Sequence, residues 1–307
     1  MERISDAGTL DELLEPFGGH TWHSPIGPVN YALGGEPRRG TVLLVAGLAM
    51  QRTDWSPELV AGLRAAGYAT LAADNRDSGR TLLAGTHAEP GAAPAGEADP
   101  HAYALSDMAR DLGELVRHLG TGPVHVVGMS MGGMIAQHLA LLAPELVRSL
   151  TSVMSTTGAR GVGRPSEASK WVFAAPAPTD SIESYVDYAV RYHGALTGEH
   201  FTDVDRARQG ALVSWARGVS PAGTTRQLAA IRADGDRTDR LAALRVPTLV
   251  VHGDADPLID VSGGIATAAA IPGAELHTVE QMGHSIPWQC SAEVTERVVA
   301  HLGAATA

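Results

Sequence analysis

One cysteine, Cys290, stands in a chain of 307 residues, so no intrachain disulfide and no cysteine-built zinc site can form. Lysine is equally scarce: Lys170 is the only one, and the remaining basic residues are arginines scattered along the chain, with Arg38-Arg39 as their longest run. At a formal charge of -11, nucleic acid and anionic membrane surfaces are disfavoured as partners, because both repel an acidic protein and reward clustered cations. No apolar run approaches the roughly eighteen residues of a membrane span. The opening stretch MERISDAGTLDELLEP is acidic and lacks the apolar centre of a secretion signal, which makes the cytoplasm the expected compartment. Aromatic residues are few, at 5%, so where they concentrate is informative.

What the chain does have is a 44% hydrophobic content, enough for a sizeable core. From Thr41 a pattern repeats: an apolar run, a loop, then an amphipathic stretch. TVLLVAGL reads as a buried strand, after which Ser56 caps a helix with Pro57 in its first turn, closing near Gly67. YATLAAD is the next strand. A stretch from Ala84 to Pro100, rich in Ala, Gly, Pro and Glu, has no periodicity and is expected to be an exposed insertion. A helix follows from about Ser106 to Leu119, then the strand VHVVG, the apolar helix MGGMIAQHLALLA, and the strand VRSLTSVM. PTLVVHG and ELHTVE are further strands, and a last helix is expected from about Glu293 to Leu302. Continuous apolar strands alternating with helices predict an α/β fold, a mainly parallel sheet covered by helices on both faces.

Residues 158–244 break the alternation. They read as helical and hold Trp171, Phe173, Tyr185, Tyr188, Tyr192 and Trp215, a concentration that a cap over the carboxyl edge of the sheet would explain. The expected organisation is therefore a core of residues 1–157 and 245–307 with a helical cap of 158–244.

In an open parallel sheet, ligands bind outside the carboxyl ends of the strands. Three chemically suggestive groups fall at such ends. Ser130 lies in VVGMSMGGM between Gly128 and Gly132, an acidic loop DADPLID follows PTLVVHG, and His284 lies in QMGHSIP after ELHTVE. G-x-S-x-G arises by chance about one time in ten in a chain of this length, but here it joins a strand to a helix. A serine needs a base to become nucleophilic, and the base needs an acid to hold its tautomer. Ser, Asp and His occur in that order. Within the acidic loop Asp254, Asp256 and Asp260 all lie within range, and spacing alone does not separate them.

With G-x-S-x-G between strand and helix and this residue order, the sequence resembles the alpha/beta-hydrolase fold superfamily, from about Thr41 to Gly303. The stretches DNRDSGR, GMSMGGMIAQ, VMSTTG, HGDADPLI and MGH resemble the branch holding the aclacinomycin-type methyl esterases of aromatic polyketide antibiotic biosynthesis. The resemblance implies Ser130 as nucleophile, Asp256 as triad acid and His284 as base, with Met131 and Leu48 supplying the backbone N–H groups of an oxyanion hole. It implies a cofactor-independent hydrolase cleaving a carboxylic ester through an acyl-enzyme, on a methyl ester of an aromatic or polyketide-like small molecule. Many relatives carry His-Gly where this chain has Ala46-Gly47, so support for the Leu48 loop must come from elsewhere. Trp171, Tyr188, Tyr192 and Trp288 are candidate substrate contacts.

Other readings use the same triad: lactone opening or closing, carbon–carbon bond hydrolysis, or acyl transfer. A ligand-binding paralogue without turnover is a further class, although an intact triad on a glycine elbow argues against it. A dehalogenase of this fold would carry Asp where this chain has Ser130. DADPLIDVSGGI begins like a calcium loop, but its sixth position is Ile259 rather than Gly and its twelfth is Ile265 rather than Glu. No metal site is expected, His125 and His138 read as structural, and Asp74, Arg76 and Asp77 read as loop-stabilising charges rather than substrate contacts.

Overall fold

A computed structural model describes residues 19–25, 27–82, 103–174, 177–198 and 200–305. Eight strands form one sheet: β1 (His20–Ser24), β2 (Gly27–Gly34), β3 (Thr41–Val45), β4 (Ala69–Ala73), β5 (Val124–Met129), β6 (Val147–Val153), β7 (Thr248–Gly253) and β8 (Glu275–Val279). Their order across the sheet is β1-β2-β4-β3-β5-β6-β7-β8. β2 pairs antiparallel with both β1 and β4, and every other strand pairing is parallel.

In β3 every residue is buried, yet the two sides differ. Leu43 and Val45 join the core beneath α2 (Leu105–Leu119) and α3 (Met131–Leu142), whereas Val42 and Leu44 join the core beneath α1 (Pro57–Ala65) and, from the end of the chain, a long helix at Trp288–Ala304. Successive strand side chains point to opposite faces, so a continuous apolar run is what a sheet covered on both sides requires. α1 starts as its sequence suggests, with Ser56 Oγ accepting from the Leu59 amide and Pro57 in the first turn.

Between β6 and β7 the chain leaves the sheet and forms α4 (Ile182–Thr197), α5 (Val204–Arg217), α6 (Pro221–Asp234) and the short α7 (Thr238–Leu241). α8 (Ser262–Ala270) follows β7, and α9 (Trp288–Ala304) follows β8.

Three features differ from the sequence-based expectations. The antiparallel hairpin β1–β2 lies before Thr41, where no apolar run marks it: its residues are mostly exposed or half-buried, and only Val29 and Asn30 are buried. The last helix starts at Trp288 rather than near Glu293, because Pro287 takes the N-cap position and its carbonyl accepts from the Cys290 amide at 3.0 Å. α8 follows the acidic loop, in a stretch where the sequence reading places no helix. The proposed exposed insertion at 84–100 lies outside the described residues.

Candidate active site

β5, β6, β7 and β8 are parallel neighbours, so the loops leaving their carboxyl ends meet on one edge of the sheet. Ser130 occupies the turn between β5 and α3 with φ 56° and ψ -122°, a backbone conformation that costs energy for a residue with a side chain. The turn holds because the Ser130 amide donates to Val153 O at 2.9 Å and Ser155 Oγ donates to Ser130 O at 2.8 Å. Close approach of neighbouring backbones explains the flanking glycines. A Cβ on Gly128 would lie 2.2 Å from Gly132 O, and one on Gly132 would lie 2.0 Å from Val45 O.

Opposite this turn, Ser130 Oγ stands 2.9 Å from His284 Nε2, and His284 Nδ1 stands 2.7 Å from Asp256 Oδ2. With Nδ1–H donated to the carboxylate, Nε2 is left to accept the serine proton. Asp256 Oδ1 accepts the amides of Leu258 and Ile259 at 2.8 and 2.9 Å. Burial would push the Asp256 carboxyl up, but the His284 charge, hydrogen bonds from His252 and His284, and the Ile259 amide together hold it at about 2. Its neighbours on the loop are occupied otherwise. Asp254 accepts the Gln281 amide and Asp260 accepts those of Arg164 and Ser262. The histidine loop is held from the β6–β7 insertion: the His284 amide donates to Leu196 O at 2.7 Å, and a Cβ on Gly283 would lie 2.2 Å from that same oxygen.

Met131 is the first residue of α3, so its N–H has no acceptor within the helix. Leu48 lies on the loop after β3, and both residues line the same cavity as Ser130. That loop runs against the Ser130 turn, since a Cβ on Gly47 would lie 3.3 Å from Ser130 Cβ. The support that a histidine gives elsewhere comes here from other side chains. Gln227 Oε1 accepts the Ala49 amide at 2.8 Å while its Nε2 donates to Arg76 O, Asn75 Nδ2 donates to Ala46 O at 2.8 Å, and Ser78 Oγ donates to Met50 O at 2.6 Å.

The cavity measures about 980 Å³. Tyr188, Tyr192 and Trp288 line it together with Tyr185, and Trp288 is itself 51% exposed. Trp171 is not one of the lining residues. It packs with Val172, Leu196 and Leu258, meets Tyr188 and Tyr192 edge-on at 6.1 and 6.4 Å between centroids, and carries Arg191 over its face. It therefore braces two tyrosines that do reach the cavity.

Several site residues left no signal in the sequence. Gln227 sits in a helix without obvious chemistry, and Asn75 and Ser78 sit in a loop read only for its charges. His252, inside the HGDADPLI stretch, donates from Nε2 to Ile259 O at 2.7 Å and lies 3.4 Å from Asp256 Oδ2. A carbonyl only accepts, so that nitrogen carries the proton. His125 bonds Ser149 at 2.8 Å and His138 bonds Asp234 at 2.6 Å, both inside the core. Asp74, Arg76 and Asp77 do stabilise the loop, but their partners are distant in sequence: Arg217, Asp111 and Arg226. Among the described residues no cluster of three or more His, Cys, Asp or Glu side chains could hold a metal ion, and no helix is long and apolar enough to cross a membrane.

Comparison with known proteins agrees with this architecture. The chain is 28% identical over 299 residues to the rhodomycin D methylesterase DauP of Streptomyces sp. (strain C5), covering 89% of this chain and 94% of that protein. It is 27% identical to a non-heme haloperoxidase of Rhodococcus erythropolis, covering 78% and 84%. Among solved structures, a meta-cleavage product hydrolase from Pseudomonas fluorescens IP01 superposes with a TM-score of 0.73 at 19% identity, covering 94% of this chain and 98% of that one. A thermophilic esterase from Thermogutta terrifontis gives 0.67 at 23% identity, covering 94% and 100%. The family model for the alpha/beta hydrolase fold matches residues 40–289, most of the chain, and the chain belongs to that family.

Proposed function

We propose that the protein is a serine esterase that cleaves a carboxylic ester through an acyl-enzyme at Ser130, with a methyl ester of an aromatic or polyketide-like compound as substrate. The observation that carries this reading is the unbroken chain from Ser130 Oγ through His284 to Asp256, at 2.9 and 2.7 Å, opening onto a cavity of about 980 Å³. As Ser130 Oγ attacks the ester carbonyl, His284 Nε2 takes its proton and Asp256 stabilises the imidazolium. The N–H groups of Leu48 and Met131 receive the oxyanion. His284 then protonates the departing alkoxide, here methoxide leaving as methanol. Water enters, gives its proton to the same nitrogen and releases the acid, regenerating Ser130.

Similarity to a rhodomycin D methylesterase over most of both chains supports the methyl ester, and the aromatic lining supports a bulky planar acyl part. In this reading residues 158–244 act as a cap that selects the substrate, no cofactor takes part, and the enzyme works in the cytoplasm on a product of antibiotic-type biosynthesis.

A fluorophosphonate probe with mass-spectrometric mapping, followed by a screen of methyl, short-acyl and lactone esters, tests the reading. The expected result is an adduct on Ser130, turnover of an aromatic methyl ester, and loss of more than about a thousandfold in kcat for a folded Ser130→Ala variant. An adduct on Ser130 with no ester turned over would overturn it.

A further inference from the structure

Buried carboxylates near the cavity almost all have a cation. Asp74 pairs with Arg217 at 2.5 Å, Asp77 with Arg226 at 2.7 Å, and Asp234 with Arg237. Of the three arginines that line the cavity, Arg206 and Arg237 are held by Glu58 and Asp234, and Arg232 forms no ion pair with a cavity carboxylate among the described residues. Asp54, which is half-buried, is the exception. It lines the cavity, yet Oδ2 accepts only the Gln51 amide at 2.8 Å and Oδ1 the Ser214 hydroxyl at 3.2 Å. No Arg, Lys or His among the described residues forms an ion pair with it. An ionised carboxylate accepts about four hydrogen bonds, so two acceptor positions are left over.

Its surroundings suit a cation. Tyr185 and Tyr192 line the same cavity and feel the Asp54 charge, which helps raise both phenols, although burial is the larger cause. An aromatic ring carries the negative side of a quadrupole on its face, which attracts a positive charge. Burial pushes Asp54 up to about 6, with the Asp74 charge adding to that and the Gln51 amide, the Ser214 hydroxyl and Arg217 opposing it. A carboxyl left without a cation in such a place costs stability, as expected of a group kept for a ligand.

We propose that Asp54, flanked by Tyr185 and Tyr192, is a recognition site for a protonated amine carried by the ester substrate, placed in the cavity while the ester lies at Ser130. This deepens the esterase reading and rests on it: the substrate class becomes an aromatic ester bearing a basic nitrogen. A hydroxyl would be served by neutral acceptors at no cost in buried charge, whereas an ammonium group needs a carboxylate and is strengthened by it when water is excluded.

The test uses one aromatic methyl ester in two forms, with a free primary amine and with that amine N-acetylated. The readout is the ratio of kcat/KM for the two forms within each enzyme, so that general damage to the fold or the triad cancels. The wild-type protein is expected to favour the amine by at least about tenfold, mainly through KM, and Asp54→Asn to lose that preference. In the wild type the preference should decline below about pH 6, as Asp54 takes up a proton; the charged and titratable groups around it are Arg217, Asp74, Tyr185 and Tyr192. This pH arm applies even if Asp54→Asn fails to fold. Equal kcat/KM for both forms, or an unchanged ratio in Asp54→Asn, would overturn the proposal. Binding of the two compounds to Ser130→Ala, read by tryptophan fluorescence, separates the two readings. Amine-selective binding without ester turnover would sink the esterase reading and keep the subsite, and turnover without amine selectivity would do the reverse.

Discussion

Asp254, Asp256 and Asp260 share one loop and one residue type, and their hydrogen bonds divide them. Asp256 alone reaches His284, while Asp254 and Asp260 fasten backbone amides of Gln281, Arg164 and Ser262. An asparagine at 256 offers an N–H to Nδ1 and so favours the tautomer with a proton on Nε2, where the serine proton has to go. Asp256→Asn is expected to lower kcat by two or more orders of magnitude, about ten-thousandfold in the serine-protease precedent. Asp254→Asn and Asp260→Asn are expected to lower it much less, as turn substitutions do. Three folded variants assayed on one ester at one pH make the comparison, and a severe loss at 254 or 260 would reassign the acid.

At the scale of elements, the loop after β3 is positioned by α6. Gln227 bridges the two, accepting the Ala49 amide and donating to Arg76 O, and it is fully buried. Ala49 has φ 58°, a conformation that the hydrogen bond helps to hold. Gln227→Leu removes both bonds and leaves the Ala49 N–H without its acceptor, so the neighbouring Leu48 N–H, the proposed oxyanion donor, loses its fixed aim. The expected effect is a fall in kcat of about tenfold with KM little changed, less than the hundredfold or more that follows outright removal of an oxyanion donor. Gln227→Glu keeps an acceptor for Ala49 and should retain more activity than the leucine variant. A purely structural role would instead lower thermal stability in both variants without this order in kcat.

Across the whole molecule, the β6–β7 insertion is joined to the sheet by buried charge. Arg217, at the end of α5, reaches Asp74, Gln51 and Asn30. Arg226 on α6 takes both oxygens of Asp77, which also accepts the Tyr103 hydroxyl. Arg237 ties Gln137 and Thr156 O to Asp234, which bonds His138. A buried pair is weak evidence for net stability, but breaking one side leaves a charge without its partner. Arg217→Met is expected to cost about 3 kcal/mol in urea unfolding, and Asp74→Asn combined with Arg217→Met should cost less than the single change. A loss below about 1 kcal/mol in the single variant would mean that Arg52, whose amide also reaches Asp74, replaces the lost cation.

Local pattern carried the architecture from β3 to β8 and the positions of Ser130 and His284. Apolar runs between helical stretches leave few alternatives to a covered parallel sheet, and such a sheet gathers the carboxyl ends of its strands at one edge. A glycine on each side of a serine where strand turns to helix needs no distant partner to be read. The rest depended on contacts between residues far apart in the chain. β1 lies at the sheet edge with β2 beside it, both are mostly exposed or half-buried, and their pairing, not their hydrophobicity, makes them strands. Gln227 meets Ala49 across 178 positions and Arg217 meets Asp74 across 143, and neither residue differs locally from any other polar side chain on a helix. Trp171 and Tyr188 looked alike as cap aromatics until packing put one behind the other. Asp54 became distinctive only through an absence, since a carboxylate without an ion-pair partner among the described residues is visible only once the tertiary structure has brought every cation to its place.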